Sequence, residues 1–323
     1  MKRKQKQTQK KSAERGSLLW ILVVAALVLA LAGAYGIQSG SAGKAAQPTP
    51  KETPFDGDRA FEDLKTIVGF GPRPSGSEAI GRTRAYIIDE LKKAGLAPAL
   101  DEFEARTPRG PVKMANIRAS RAGSSSTIIA VTGHYDTKRF DSIRFEGASD
   151  GGSSAAWLLE FVRATSGMKL NNTLEFIFFD GEEAVVEWTA DDSVYGSRFD
   201  LDRRYRAGGL RNLKALILVD MIGDRNLNIK QESGSTSWLT STIWNSAHAM
   251  GYNREFLTDS IAIEDDHVPF LKAGIPAVDL IDFDYPYWHT AGDTLDKTSA
   301  RSLKVVGDVL YAALPEIDKR ASP

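Results

Sequence analysis

Phe176-Ile-Phe-Phe-Asp-Gly-Glu-Glu-Ala184 is the stretch on which the interpretation of this sequence depends. Its apolar run is typical of a strand that is buried on both faces, as in a parallel sheet covered by helices. Gly181 then allows a turn that most residues would resist. Glu182 and Glu183 follow side by side, so their charges repel, and burying either carboxylate without a partner is costly. A bound cation would remove both problems, whereas the simpler interpretation is a solvated acidic turn.

Strands and helices alternate along most of the chain. This alternation predicts an α/β fold with a mostly parallel central sheet and helices on both faces. The predicted elements are helices at 58–68 and 78–93, strands at 97–105, 112–119 and 127–132, a helix at 152–164, strands at 174–179 and 215–219, a helix at 237–250, a strand at 277–281 and a helix at 299–314.

Polar residues of metal-binding types lie where several of these strands end. His134 and Asp136 follow one strand and Asp220 follows another, while His289 comes in the loop after the strand that ends near Asp282. In open α/β sheets, ligands bind beyond the carboxyl ends of the strands. We therefore expect these side chains to lie near the Glu182–Glu183 pair.

The residue types favour zinc. Carboxylates together with imidazole suit this metal, and a catalytic zinc takes three protein ligands and keeps one position open. Each residue alone has a simpler explanation: His134 as a hydrogen-bonded strand end, Asp150 as a helix N-cap, and Asp220 as a turn acid. Their occurrence together is difficult to attribute to chance.

The N-terminal region predicts a membrane anchor. Residues 1–16 carry seven Lys or Arg and one Glu, a local charge of +6, and residues 17–37 are apolar or small and uncharged. Twenty-one such residues span a bilayer core of ~30 Å as a helix. The basic tail should remain cytoplasmic, so that the rest of the chain is periplasmic or extracellular. A cleaved signal peptide is the alternative.

The remaining residues divide into a linker and one large domain. Residues 38–54 are rich in Ser, Ala, Gly and Pro, which is typical of a flexible linker. Residues 55–319 then form the expected catalytic domain. Because the whole chain has a net charge of −1, removing the +6 tail leaves −7, which argues against a nucleic-acid partner. The chain contains no cysteine, so no disulfide contributes to its stability.

A series of segments resembles a known family. They are Gly71-Pro-Arg-Pro74, His134-Tyr-Asp-Thr-Lys138, Gly147-Ala-Ser-Asp150, Phe178-Phe-Asp-Gly-Glu-Glu-Ala184, Asp192-Ser-Val-Tyr-Gly-Ser-Arg198, Val219-Asp-Met-Ile-Gly223, Asp265-Asp-His-Val-Pro-Phe-Leu271 and Trp288-His-Thr290. Together they resemble the zinc-dependent exopeptidase superfamily, which includes bacterial leucine aminopeptidases, and within it the glutaminyl cyclase branch. The resemblance extends from about residue 60 to 315.

The resemblance implies roles for the polar residues. Asp150, Glu183 and His289 would bind one zinc, and Glu182 would act as general base and acid. His134 and Asp220 match the ligands of a second zinc in the aminopeptidases, whereas one zinc suffices in the cyclases. Asp136 would orient His134 by accepting a hydrogen bond from its ring. Asp220 and Asp265 would form a hydrogen-bonded acidic pair over the site.

The resemblance also implies a substrate pocket. Trp188 and Trp288 would form its walls, with ordinary core packing as the alternative. Glu264, which stands where the animal cyclases have glutamine, and Tyr285 would contact the substrate. The loop that contains Tyr285 is shorter and more acidic than in those enzymes, and their paired cysteines are absent.

These implications lead to one expected activity and two alternatives. The expected activity is zinc-dependent cyclisation of the N-terminal glutamine of peptides or proteins to pyroglutamate, with release of ammonia. The first alternative is an aminopeptidase with two zinc ions that acts on exported peptides. The second is a catalytically inactive, receptor-like domain, against which the complete set of Asp150, Glu182, Glu183 and His289 argues.

Overall fold

The structure is a computed structural model that describes residues 52–322. The predicted basic tail, membrane anchor and almost all of the linker therefore lie outside the described residues. Within residues 52–322, no helix combines the length and the apolar character needed to cross a membrane.

A six-stranded sheet forms the centre of the described domain. The strand order is β1-β2-β4-β3-β5-β8, and a separate pair, β6 and β7, forms a small parallel sheet. The strands are β1 (Ala99–Thr107), β2 (Gly110–Arg121), β3 (Ile128–His134), β4 (Thr173–Phe179), β5 (Leu213–Asp220), β6 (Ile229–Glu232), β7 (Phe256–Ile261) and β8 (Ala277–Ile281).

The central sheet is mixed but mostly parallel, as predicted, with three parallel and two antiparallel pairings. Strands β4, β3, β5 and β8 run parallel, but β2 is antiparallel to both β1 and β4. Only two residues, Pro108 and Arg109, separate β1 from β2. So short a connection can join only antiparallel neighbours, because parallel strands need a crossover of a dozen or more residues.

Seven α-helices lie in the described part of the chain. They are α1 (Gly57–Gly69), α2 (Glu78–Lys93), α3 (Ser154–Ala164), α4 (Tyr195–Arg206), α5 (Ser237–Ala249), α6 (Val268–Lys272) and α7 (Ala300–Ala321). The predicted helix at 299–314 continues past Pro315, because its apolar face extends to the buried Ile317 and Ala321. Helix α4 was not predicted, since its buried positions include Asp200 and Arg204, which pair with each other, instead of an apolar stripe.

Helices cover both faces of the sheet, as predicted. Successive residues of the buried strands point to opposite sides. Phe176 and Phe178 join the large core that contains α1, α3 and α7, whereas Ile177 and Phe179 pack in a second core with α4 and α6. Burial on both sides explains why the last four residues of β4, Phe176 to Phe179, are all apolar before the acidic turn.

Candidate active site

The carboxyl ends of three neighbouring parallel strands position the site. His134 is the last residue of β3, Asp220 is the last residue of β5, and the turn that carries Glu182 and Glu183 follows β4. Since β3 pairs with both β4 and β5, these ends meet at one edge of the sheet. All four side chains are buried.

A wide turn before α3 delivers Asp150 to the same place. This turn, Ala148–Ser153, is not helical at Asp150 (φ −77°, ψ 109°) or at Gly151 (φ 71°). A Cβ atom at Gly151 would lie 2.3 Å from the Asp136 carbonyl oxygen and 2.8 Å from Cε1 of His134. Only glycine therefore allows the turn to approach β3 so closely.

Two groups of potential metal ligands share Asp150. One contains His134, Asp150 and Asp220, and the other contains Asp150, Glu183 and His289. In the first group, Nε2 of His134 lies 3.3 Å from Oδ1 of Asp150 and 3.0 Å from Oδ1 of Asp220. In the second, Nε2 of His289 lies 3.4 Å from Oδ2 of Asp150 and 3.2 Å from Oε1 of Glu183.

The residues fit a bound metal ion. Ligand atoms at about 2.0–2.1 Å from a tetrahedral zinc lie roughly 3.3 Å from one another, as these atoms do. Oδ2 of Asp150 is buried and accepts no hydrogen bond from the described residues. A buried carboxylate oxygen without a partner is costly, and a cation would provide the partner.

The crowding of buried carboxyl groups also favours a bound cation. Burial and the neighbouring Glu183 raise the pKa of Asp150 to about 6, and burial raises the pKa of Glu183 to about 7 even though Lys138 acts against it. Burial raises the pKa of Glu182 well above its ordinary range. A dication between these carboxylates would remove the repulsion and favour their ionised forms.

The Asp136 carboxylate fixes the main chain of the turn that carries Glu182 and Glu183. One of its oxygens accepts a hydrogen bond from the Glu182 amide (3.2 Å), and the other accepts one from the Glu183 amide (3.3 Å). Oδ1 also lies 3.4 Å from Nδ1 of His134, as expected from the sequence. The same carboxylate therefore orients His134 and both glutamates.

Backbone strain concentrates around the site. In residues 52–322, three residues other than glycine have positive φ: Val194 (42°), Met221 (48°) and His289 (53°). Met221 follows Asp220, and the Val194 amide donates a 2.8 Å hydrogen bond to the Glu182 carbonyl. A left-handed conformation is costly for a β-branched residue such as valine, and strain of this kind is typical of functional sites.

A cavity of about 440 Å³ opens above the ligand groups. The sequence-predicted residues that line it are Asp150, Glu182, Glu183, Trp188, Asp220, Glu264, Asp265, Trp288 and His289. Trp188 and Trp288 are 37% and 41% exposed as whole residues, which excludes ordinary core packing. The apolar side chains of Val186, Ile263 and Phe283 line the cavity as well, although the sequence did not single them out.

Two sequence-based expectations for this site are wrong. Tyr285 is buried away from the lining of this cavity, and its hydroxyl donates a 2.7 Å hydrogen bond to Asp293. Asp220 and Asp265 do not form the expected hydrogen bond. Asp220 instead accepts from His134, Ser154 and its own neighbour Met221, and Oδ2 of Asp265 has no partner among the described residues.

Sequence reasoning also missed a buried polar cluster behind Asp265. Asp266, His267 and Asp279 are all fully buried, and Nε2 of His267 lies 3.2 Å from Oε2 of Glu232. Burial and the nearby Asp279 raise the pKa of Asp265 well above its ordinary range. The run of polar residues Asp265-Asp-His267 gave no sign in the sequence that all three side chains are buried.

Comparison with known proteins identifies the family. A profile described as peptidase family M28 matches residues 116–314, more than half of the chain. The chain belongs to peptidase family M28. The matched region of this M28 chain contains every ligand and both glutamates described above.

Individual relatives place the M28 chain in the glutaminyl cyclase branch. The glutaminyl-peptide cyclotransferase of Boiga dendrophila is 29% identical over 282 residues, which cover 76% of each protein. A crystal structure of a glutaminyl cyclase from an Acidobacteriales bacterium is similar with a TM-score of 0.78 and 36% identity, covering 85% of this chain and 98% of that one. A leucine aminopeptidase precursor from Bacteroides thetaiotaomicron is similar with a TM-score of 0.74 and 25% identity, covering 82% and 98%.

Proposed function

We propose that this protein cyclises the N-terminal glutamine of peptides or proteins to pyroglutamate and releases ammonia. The observation that carries the proposal is the position of Glu182. Its carboxylate lines the floor of the cavity beside the group formed by Asp150, Glu183 and His289, within an M28 chain of the glutaminyl cyclase branch. The floor thus combines a proton acceptor with a set of metal ligands.

Asp150, Glu183 and His289 would hold one zinc ion. The zinc would supply Lewis acidity for the side-chain amide of the substrate. Asp150 and Glu183 are buried, while His289 is partly exposed on the side that faces the cavity. The Phe140 and Phe145 rings form T-shaped pairs with the His289 imidazole, with centroids 5.7 and 5.8 Å away, and limit its rotation.

The walls of the cavity would hold the glutamine residue in a folded conformation. Trp188, Trp288, Ile263 and Phe283 all line the cavity, so their apolar surface would exclude water from the reacting groups. In this conformation the α-amino nitrogen lies against the side-chain amide carbon. Such positioning removes much of the entropy cost of forming a five-membered ring.

Glu182 would move the proton that the reaction requires. The α-amino nitrogen forms a bond to the amide carbon and must lose a proton, while the bond from that carbon to the amide nitrogen breaks and the nitrogen must gain one. A carboxylate next to both nitrogens can serve each step and is regenerated when ammonia leaves. Asp265, whose raised pKa favours its protonated form, would donate a hydrogen bond to the substrate.

A two-metal aminopeptidase is the second candidate, and one observation favours it. Asp150 directs Oδ1 toward the His134–Asp220 group and Oδ2 toward the Glu183–His289 group. A carboxylate that bridges two ligand groups is suited to a pair of metal ions. In that reaction Glu182 would activate a water molecule.

The product of the reaction distinguishes the two candidates. The full chain, loaded with zinc, is incubated with a Gln-peptide and with a Leu-peptide of otherwise identical sequence, and ammonia and free amino acid are both measured. We expect ammonia from the Gln-peptide in equal amount to the pyroglutamyl product, and no free leucine. Free leucine without ammonia would identify the aminopeptidase instead, and Glu182→Gln serves as the inactive control for either activity.

A further inference from the structure

The main chain of Asp150 is held on both sides by charged side chains from distant parts of the sequence. Asp293 accepts hydrogen bonds from the amides of Ser149 (2.8 Å, to Oδ1) and Asp150 (3.1 Å, to Oδ2). Arg73 reaches the opposite side of the same turn, where its Nη2 lies 3.4 Å from the Asp150 carbonyl oxygen. Residues 220 positions apart in the sequence therefore meet at one potential ligand.

Arg73 is fully buried and directs its guanidinium at carbonyl groups. It donates to the carbonyls of Tyr135 (2.8 Å), Glu146 (2.7 Å) and Gly147 (2.7 Å). Burial lowers its pKa to about 10, which still leaves it charged at neutral pH. Burying such a charge without a direct carboxylate partner is costly, and the cost is offset only if the donors are satisfied, as they are here.

The glycines of the turn allow this arrangement. A Cβ atom at Gly147 would lie 2.6 Å from the Asp150 carbonyl oxygen, and one at Gly152 would lie 2.6 Å from the Gly147 carbonyl and 3.2 Å from Nη2 of Arg73. The turn is therefore packed so closely on the guanidinium that it has little freedom to move.

The structure assigns Arg73 and Asp293 as positioning residues that fix the Asp150 carboxylate before the metal binds. We call these two side chains the Asp150 clamp. A ligand that is already ordered loses less conformational entropy on binding an ion. Side chains that orient ligands typically contribute 10- to 100-fold to metal affinity. The inference rests on the proposed function only in requiring a metal at Asp150.

Tyr285 connects the clamp to the substrate cavity. Its hydroxyl donates to the same Asp293 oxygen that accepts the Ser149 amide. Tyr285 lies in the loop that also carries Phe283 and Trp288, both of which line the cavity. A single carboxylate therefore fixes both the ligand turn and the apolar wall, and loss of the tyrosine hydroxyl should disturb the wall more than the ligand.

Metal affinity measured without substrate tests the clamp. Zinc dissociation constants of the full chain are obtained by competition with a chromophoric chelator, and the visible spectrum of the cobalt-substituted protein reports ligand geometry. We expect Arg73→Lys, which keeps the charge but loses the planar fork, and Asp293→Asn, which loses one accepting oxygen, to weaken zinc binding ~10- to 100-fold and to change the cobalt spectrum. Tyr285→Phe should leave zinc affinity near that of the unmodified chain but raise the KM of a Gln-peptide roughly 2- to 10-fold.

Arg204→Lys is the matched control. Arg204 is also a buried arginine, but it pairs with Asp200 and with Glu175 near the opposite end of β4. This variant should lower thermal stability and leave zinc affinity and the cobalt spectrum unchanged. Clamp variants that behave in the same way would overturn the inference, and if Arg73→Lys does not fold, Asp293→Asn decides it. Neither measurement depends on whether the enzyme proves to be a cyclase or an aminopeptidase.

Discussion

Glu182 and Glu183 are neighbours in the chain, yet their carboxylates lie in different surroundings. Glu183 places Oε1 3.2 Å from Nε2 of His289 and Oε2 3.7 Å from Nζ of Lys138. Glu182 has Nδ1 of His134 3.9 Å away and experiences repulsion from Asp265. Glu183 therefore belongs to a group of potential metal ligands, whereas Glu182 belongs to neither group, as its proposed role of proton acceptor requires.

This difference leads to a prediction for the two glutamates. Glu182→Gln keeps the size and polarity of the side chain but removes the proton acceptor. We expect it to retain zinc and substrate affinity while kcat falls by ~10²–10⁴-fold, the usual contribution of general acid–base catalysis. Glu183→Ala, by contrast, should lose zinc, because a three-ligand site cannot spare one ligand.

Bound zinc, measured by metal analysis, and kcat on a Gln-peptide test the two roles separately. Turnover near that of the unmodified enzyme in Glu182→Gln would remove this residue from the mechanism and make Asp265 the next candidate. Full zinc occupancy in Glu183→Ala would show that the ligand assignment is wrong.

The residues that the sequence could predict are those with a simple local signal. His134, Asp220 and the glutamates end or follow apolar strands, and a strand end in a parallel sheet has a known position. Arg73 and Asp293 have no such signal, because each lies in a loop and acts on the main chain of a residue far away in sequence. The aromatic Tyr285 was predicted to face the substrate, but its hydroxyl is drawn to the buried Asp293.

At the scale of elements, apolar periodicity predicted the strands and helices that bury apolar side chains. It failed for α4, whose buried face is held by ion pairs, and for the two-stranded sheet of β6 and β7, whose exposed positions carry little pattern. The prediction gave no direction for β2. Its bounds left six residues between β1 and β2 and the structure has two, and both lengths are too short to join parallel strands.

The buried Asp282 at the end of β8 leads to a prediction for how the free energy of unfolding depends on pH. Asp282 follows this strand, and burial raises its pKa from 3.8 to about 7, although the Asn228 amide donates to it and acts in the opposite direction. A carboxyl whose pKa is raised on folding stabilises the protein below its unfolded pKa, and this contribution is lost as the pH rises through the folded value. The relevant window is therefore between about pH 4 and pH 7.

Asp282→Asn should remove this pH dependence. The variant should be less stable than the unmodified chain at pH 4, where one accepting oxygen is lost, and the difference in unfolding free energy should shrink or reverse by pH 8. The change across the window should be at most ~4 kcal/mol, since one pKa unit corresponds to about 1.4 kcal/mol. Urea unfolding at several pH values measures it, with Asp58→Asn, an exposed acid on α1, as the control. A pH-independent difference would contradict the prediction.

At the scale of the whole molecule, charge separates the N-terminal residues from the rest. The first sixteen residues carry a charge of +6, and the remainder of the chain carries −7. The uncharged segment 17–37 lies between them. We propose that this segment anchors the protein in a membrane and that residues 38–54 tether the catalytic domain outside the cytoplasm, where peptide N-termini are its substrates. The basic flank supports this orientation, because positive charges near a spanning segment favour the cytoplasmic side.

A reporter enzyme that is active only in an extracytoplasmic compartment, fused after Pro323, tests this topology. We expect activity from the full-length fusion and cofractionation of the fusion with membranes. A second fusion, in which the Lys and Arg residues of the first sixteen positions are replaced by Gln, should lose much of the activity, because the charge difference that sets the orientation is removed.

A reporter that is active only in the cytoplasm would refute the proposed orientation. Extracytoplasmic activity recovered in the soluble fraction, with the chain shortened at its N-terminus, would instead identify residues 17–37 as a cleaved signal peptide.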